Sequence, residues 1–259
     1  MNGKDADFIS LGDAMHVIFN ADDFGLTPGV NLGIVAASQS GVVRSTTLMV
    51  GMEADKHAID LASSAASLKV GLHLRFTAGA PLTAAHSLTS DNGQFLVKEN
   101  FKHRKDFVEQ EIADEVTAQI ECFLASGLSL SHIDSHHHAH THSQILPVVQ
   151  ELARYYKVPL RECGKGGLIS NNCQYIFSDE FYGDGISVNQ LLGIINKHEN
   201  RCDVLEIMCH PGFIDQPLLD VSAYNVIRAK ELAILTDENL LEALDKQGIE
   251  VCDFSIFSK

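Results

Sequence analysis

Basic side chains are scarce in this chain of 259 residues. Nineteen Lys and Arg stand against 34 Asp and Glu, a formal net charge of −15. A surface of that sign repels nucleic acid and anionic membranes, and no run of Lys and Arg offsets it. Long apolar runs are missing too: no stretch reaches the length of a membrane span, and residues 1–8 hold no apolar h-region of a secretory signal. Six cysteines (Cys122, Cys163, Cys173, Cys202, Cys209 and Cys252) include no C-x-x-C pair. That argues against zinc-finger chemistry and, in a chain this long, against a disulfide framework. Reduced thiols in a cytoplasmic protein are the expectation. No G-x-G-x-x-G follows the first expected strand, which removes the usual dinucleotide fingerprint. Tandem repeats, low-complexity tracts and linkers are also lacking, so a polar, flexible leader over residues 1–14 and one β/α domain over 15–259 are expected.

What is present fits an enzyme. Apolar residues make up 45% and charged residues 20%, ordinary for a globular chain that buries a core. Apolar, β-branched runs predict strands near 16–20, 42–50, 69–76, 132–136, 158–162, 203–209 and 249–254. Between them lie helical patterns near 30–39, 53–66, 106–126, 144–156, 188–197, 223–235 and 238–246. The segment 106–126 has its apolar stripe at Ile112, Val116, Ile120 and Phe123. Thr27-Pro28 reads as an N-cap and first helical residue. Residues 77–98 and 164–187, rich in turn formers, read as loops, the second as an insertion over one face. About seven strands alternating with helices predict a parallel α/β architecture.

Six of the thirteen histidines fall in twelve residues, Ser131-His132-Ile133-Asp134-Ser135-His136-His137-His138-Ala139-His140-Thr141-His142. If the stretch begins as a strand, His132, Asp134, His136 and His138 share one face, with Ile133, Ser135 and His137 on the other. Imidazoles with a carboxylate among them suit a divalent cation and the groups that orient its ligands. A surface histidine tract is the plainer alternative.

The other chemistry-bearing residues also follow strands. Asp22 and Asp23 end the first, His73 sits late in the third, and His210 follows the sixth. Carboxyl ends of strands are where α/β enzymes keep their sites, and only a closed or nearly closed barrel brings ends so distant in order to one mouth. An irregular, seven-stranded (β/α) barrel is therefore predicted. A strand would point Asp22 and Asp23 to opposite faces, so a turn at Phe24-Gly25 must redirect one if both serve a single site. One could bind a cation while the other stays free as a base. His73 is either a satisfied core histidine or a ligand. His210, held extended before Pro211, suits a fourth ligand or a proton donor. Arg161 suits bidentate bonding to a carboxylate or a surface ion pair.

Taken together, Asn20-Ala-Asp-Asp-Phe-Gly25, Ser45-Thr-Thr-Leu48, Gly71-Leu-His73, His132-Ile-Asp-Ser-His-His-His138 and Cys209-His-Pro-Gly212 resemble the YdjC-type carbohydrate deacetylases. Phe181-Tyr-Gly183 and Pro211-Gly-Phe-Ile-Asp215 bring the chain nearest to the chitooligosaccharide deacetylases among them. The resemblance implies a distorted barrel of the glycoside hydrolase/deacetylase type and one divalent ion, Mg²⁺ or Zn²⁺. It implies removal of an N-acetyl group from chitobiose or its 6-phosphate. Asp23, His73 and His136 match the family's metal ligands, Asp22 its general base and His210 its general acid. Asn20, Asp134, His138 and Arg161 are expected around them, supporting ligands or touching the oligosaccharide. A homodimer is expected as well. A metal-dependent phosphoesterase or other amide hydrolase on a similar barrel is the enzymatic alternative; a His-rich metal-binding protein is the non-enzymatic one.

Overall fold

The computed structural model describes residues 15–161 and 173–258; the expected leader lies outside them. β1 (His16–Phe24) is buried along its whole length, as a central parallel strand covered on both faces must be. It is followed by α1 (Pro28–Ser40), β2 (Ser45–Leu48), α2 (Asp55–Ser64), β3 (Lys69–Leu74), α3 (Lys98–His103) and α4 (Glu109–Ala125). β4 (Ile133–Ser135), α5 (Leu146–Tyr156), β5 (Tyr175–Ser178), α6 (Val188–His198) and β6 (Val204–Cys209) come next. The chain ends with α7 (Gln216–Val221), α8 (Val226–Leu235), α9 (Glu238–Lys246) and β7 (Glu250–Cys252).

All strand pairings are parallel, in the order β4-β3-β2-β1-β6-β5. β7 pairs with the first residues of β1, on the edge that β2 occupies further along. The sheet curls into a distorted (β/α) barrel, with the helices outside. Thr27 caps α1 by accepting from the Val30 amide at 3.3 Å, with Pro28 in the first turn, as the sequence predicts. The stripe Ile112, Val116, Ile120 and Phe123 is buried on α4, which packs on β3 and α5.

The described residues form seven strands, but not the expected seven. Of the strand expected at 158–162, residues 158–161 are described and form none: Leu160 makes one parallel bridge to Ile133. Pro159 has no amide hydrogen to extend that ladder. β5 instead lies at Tyr175–Ser178, inside the stretch read as an insertion; residues 164–172 of that stretch lie outside the described residues. The short helices α3 and α7 were not anticipated.

Two glycines position the site through close approach. A Cβ on Gly71 in β3 would fall 2.5 Å from the His132 ring, and one on Gly33 in α1 would fall 2.4 Å from Gly212. β3 therefore packs directly against a buried imidazole, and α1 braces the segment that carries His210. The Phe213 amide donates to the Gly29 carbonyl at 3.0 Å, and the Gly212 amide to the Arg228 carbonyl at 3.2 Å.

Candidate active site

The carboxyl ends of the strands open into a cavity of about 830 Å³ lined by Asp22, Asp23, His73, His136, His210 and Arg228, among others. Asp22 and Asp23 both reach it. The redirection occurs at Asp23 itself, whose φ of 71° lies in the left-handed region, and not at the turn beyond it. The β1–β2 register slips between Ala21 and Phe24, so a local bulge turns the second carboxylate to the same side as the first. Aspartate tolerates this conformation better than most residues.

Asp23 is the meeting point at the mouth. Its Oδ1 lies 2.8 Å from His136 Nδ1 and 3.3 Å from His73 Nε2, and its Oδ2 accepts from Arg228 Nη2 at 2.6 Å. Burial works against its charge, yet His136 and Arg228 hold the carboxyl well below the usual range. His73 Nδ1 lies 2.7 Å from Asp134 Oδ1 and 3.0 Å from Thr47 Oγ1, which fixes the ring and turns Nε2 toward Asp23. Burial disfavours a charged His73, but Asp134 and Asp23 overcome it and push its pKa up to about 10.

One ligand atom from each of Asp23, His73 and His136 lies within 4.8 Å of the others. A carboxylate and two imidazoles, one of them backed by a second carboxylate, fit a divalent cation, which would take the place of the shared protons. Asp22, His73 and Asp134 form a second compact group. There a guanidinium already sits between the carboxylates, so that group does not suit an ion.

That guanidinium belongs to Arg161, which is fully buried. Its Nη1 and Nη2 donate to Asp22 Oδ2 and Oδ1, both at 2.7 Å, its Nη1 stands 3.0 Å from Asp134 Oδ2, and its Nε donates to Glu206 Oε1 at 2.7 Å. Its planar face covers the Phe177 ring at 4.8 Å. The geometry is the bidentate one, not a surface pair. Burial raises the Asp22 pKa, but Arg161, His73 and His210 outweigh it and leave Asp22 ionised. Asn20 adds a bond from Nδ2 to Asp22 Oδ1 at 2.9 Å, while its Oδ1 lies 3.0 Å from His132 Nε2.

The histidine tract divides. The strand stops at Ser135, and φ values of 55° and 53° at His137 and His138 break the expected alternation. His132 turns inward and stacks on Phe254 at 3.6 Å, and only His136 joins the metal-type group. His137 bonds Thr77 Oγ1 at 3.0 Å, His138 faces Phe177, and His140 joins Ser135 Oγ to the Arg161 carbonyl. His138 still lines the cavity with His136, and the turn brings His137 there too, although strand alternation would have put it on the other face.

His210 sits across the cavity, its ring edge-on to Tyr182 and Tyr224 at 5.7 and 5.5 Å. Its amide donates to Glu231, and its buried Nδ1 has no hydrogen-bond partner among the described residues. Burial, helped by Arg228, lowers its pKa to about 4 despite Asp23 and Asp22. Arg228, Glu231, Glu206 and Thr47 were not foreseen as site residues. Thr47 lies in a motif that was noticed, whereas Arg228 and Glu231 look like ordinary charges on a helix.

The YdjC-like protein family model matches residues 16–246. The chain belongs to the YdjC-like family. It is 49% identical over 241 residues to a carbohydrate deacetylase of Vibrio cholerae serotype O1, covering 93% of this chain and 96% of that one. With a carbohydrate deacetylase of Vibrio vulnificus it shares 52% over 241 residues, at the same coverage. A solved structure from Enterococcus faecalis, named for a proposed cellobiose-phosphate cleavage, superposes with a TM-score of 0.85 at 31% identity, covering 93% of this chain and 98% of that one. No helix among the described residues is long and apolar enough to cross a membrane.

Proposed function

We propose that this YdjC-like protein is a divalent-metal-dependent N-deacetylase of short chitooligosaccharides, with chitobiose or its 6-phosphate as the smallest substrates. The observation that carries this reading is the pairing of a three-residue metal group with a separately held carboxylate one residue away. Asp23, His73 and His136 would hold the ion, Mg²⁺ or Zn²⁺. When bound, it supplies Lewis acidity toward the acetyl oxygen and lowers the pKa of a coordinated water.

Asp22, ionised and fixed by Arg161 and Asn20, takes the proton of the attacking water. Attack makes the acetyl carbon tetrahedral. His210 then delivers a proton to the departing amine as the C–N bond breaks, leaving acetate and an amino sugar. The proton that Asp22 takes from the water is handed on to His210 before the C–N bond breaks, so an imidazole that rests neutral is charged only within the cycle and Asp22 is returned ionised. Asp134 and Thr47 keep His73 turned toward Asp23, and Arg228 neutralises the outer oxygen of Asp23.

The relatives named carbohydrate deacetylases support the reaction class. A metal buffer would use the histidine tract as a cluster, but among the described residues five of its six histidines have other partners. The test is acetate release from diacetylchitobiose and its 6-phosphate by metal-loaded protein, with phosphate release from generic phosphoesters as the control. Acetate should appear, stop on chelation and return with Mg²⁺ or Zn²⁺. Phosphate release without acetate would make the protein a phosphoesterase instead.

A further inference from the structure

We propose that the exposed face of Tyr182 is the platform for the sugar unit next to the one being deacetylated. The proposal rests on the reading of the substrate as a short amino-sugar oligomer. Tyr182 lines the catalytic cavity, yet 52% of its surface is exposed. One face of its ring is covered by Tyr224, stacked at 4.2 Å and inclined by only 7°. The other is open, and its hydroxyl makes no hydrogen bond among the described residues. A half-exposed, pre-oriented aromatic ring beside polar catalytic groups is poor core material and good recognition material.

The chemistry of the open face selects its occupant. A pyranose in its chair form presents a flat set of axial C–H groups, apolar and slightly positive, which suits the negative face of a tyrosine ring. Hydroxyls at the sugar's rim stay in water. Val221 and Ala223 line the same cavity and extend the apolar flank.

Position follows from one buried side chain. Glu231, with no exposed surface, accepts from the Tyr224 hydroxyl at 2.5 Å and from the His210 amide. The Tyr224 oxygen in turn accepts from the Gly183 amide at 3.1 Å, which ties down the turn carrying Tyr182. Platform and proton donor are therefore fixed to the same carboxylate. With the reacting amine beside His210, the neighbouring ring of a linked disaccharide falls toward Tyr182, whereas a monosaccharide leaves it bare. Tyr182 is thus a specificity residue for chain length and takes no part in the bond changes.

The test compares diacetylchitobiose with N-acetylglucosamine on the metal-loaded full chain. Calorimetric titrations, run on Asp22→Asn so that turnover is slow, should show a preference for the disaccharide that Tyr182→Ala reduces about tenfold. Tyr182→Phe should keep it. In the chain with Asp22 intact, Tyr182→Ala should raise KM for the disaccharide far more than it lowers kcat. Tyr182→Leu, which keeps apolar bulk over Tyr224 but has no π face, serves if the alanine variant does not fold. An unchanged preference, or equal weakening of both sugars, would overturn the platform. If the chain releases no acetate from either sugar, the deacetylase reading fails, and the titrations alone then decide the platform: disaccharide binding weakened by Tyr182→Ala upholds it, and no disaccharide binding overturns it.

Discussion

Two charged clusters lie a few ångströms apart in this barrel, and they are built differently. Around Arg161, every charged group is buried and satisfied: Asp22, Asp134 and Glu206 surround the guanidinium, with Asn20 alongside. Around Asp23, the groups are crowded but incompletely matched. His136 is partly exposed, and the buried Nδ1 of His210 and Nη1 of Arg228 have no partner among the described residues. A saturated cluster has no capacity left for a ligand and acts as a scaffold. An unsaturated one holds donors and acceptors that a cation and an amide can complete. Asp22 belongs to the first cluster but lines the same cavity as the second, so on the proposed reading a base would be held rigidly and still reach a substrate.

The sharpest way to break this contrast is to compare the two adjacent aspartates. Asp22→Asn should lower kcat by roughly 10²–10⁴-fold, the usual worth of one proton-transfer group, with metal content by elemental analysis unchanged. Asp23→Ala should lose the metal together with the activity. Equal metal loss in both variants would mean that the two clusters are one site.

Next comes Arg161→Met, which leaves three buried carboxylates without their cation. Breaking a buried pair in this way costs about 3–5 kcal/mol, and denaturant melts should show a loss of that order. Replacing Arg228, whose partner lies at the open mouth, should cost less stability; the reverse order would undo the assignment of scaffold and site.

The smallest effect concerns pH. Burial pushes the Glu231 carboxyl up to about 7, against the pull of the His210 amide and Tyr224 hydroxyl. The folded state therefore holds a proton that the unfolded state releases near its ordinary value. That contribution is fully present below about pH 4.5 and is lost as pH rises through 7. It should amount to 1–3 kcal/mol as an order of magnitude, and Glu231→Gln should flatten the stability profile over that window.

The sequence carried the architecture well where the pattern was local. Apolar strands alternating with helices announced a parallel barrel, and reactive residues at strand ends announced the mouth. It carried less where partners are far apart in the chain. Arg228 reaches Asp23 across 205 positions from a helix whose pattern gives no hint of an inward cation. β5 is four residues long and sits among turn formers, while 158–162 has strand composition but Pro159 in its ladder. The alternation read through the histidine tract failed because φ turns positive at His137, and tract composition does not reveal where a strand ends.

The left-handed backbone at Asp23 narrows what any redesign can place there. Asparagine would accept the torsion but surrender the charge; glutamate would keep the charge but has no easy route to the torsion and carries one methylene too many. Only one ordinary amino acid meets both demands; if the proposed ion is bound here, this position is a poor target for tuning its preference, and the two imidazoles are the adjustable partners.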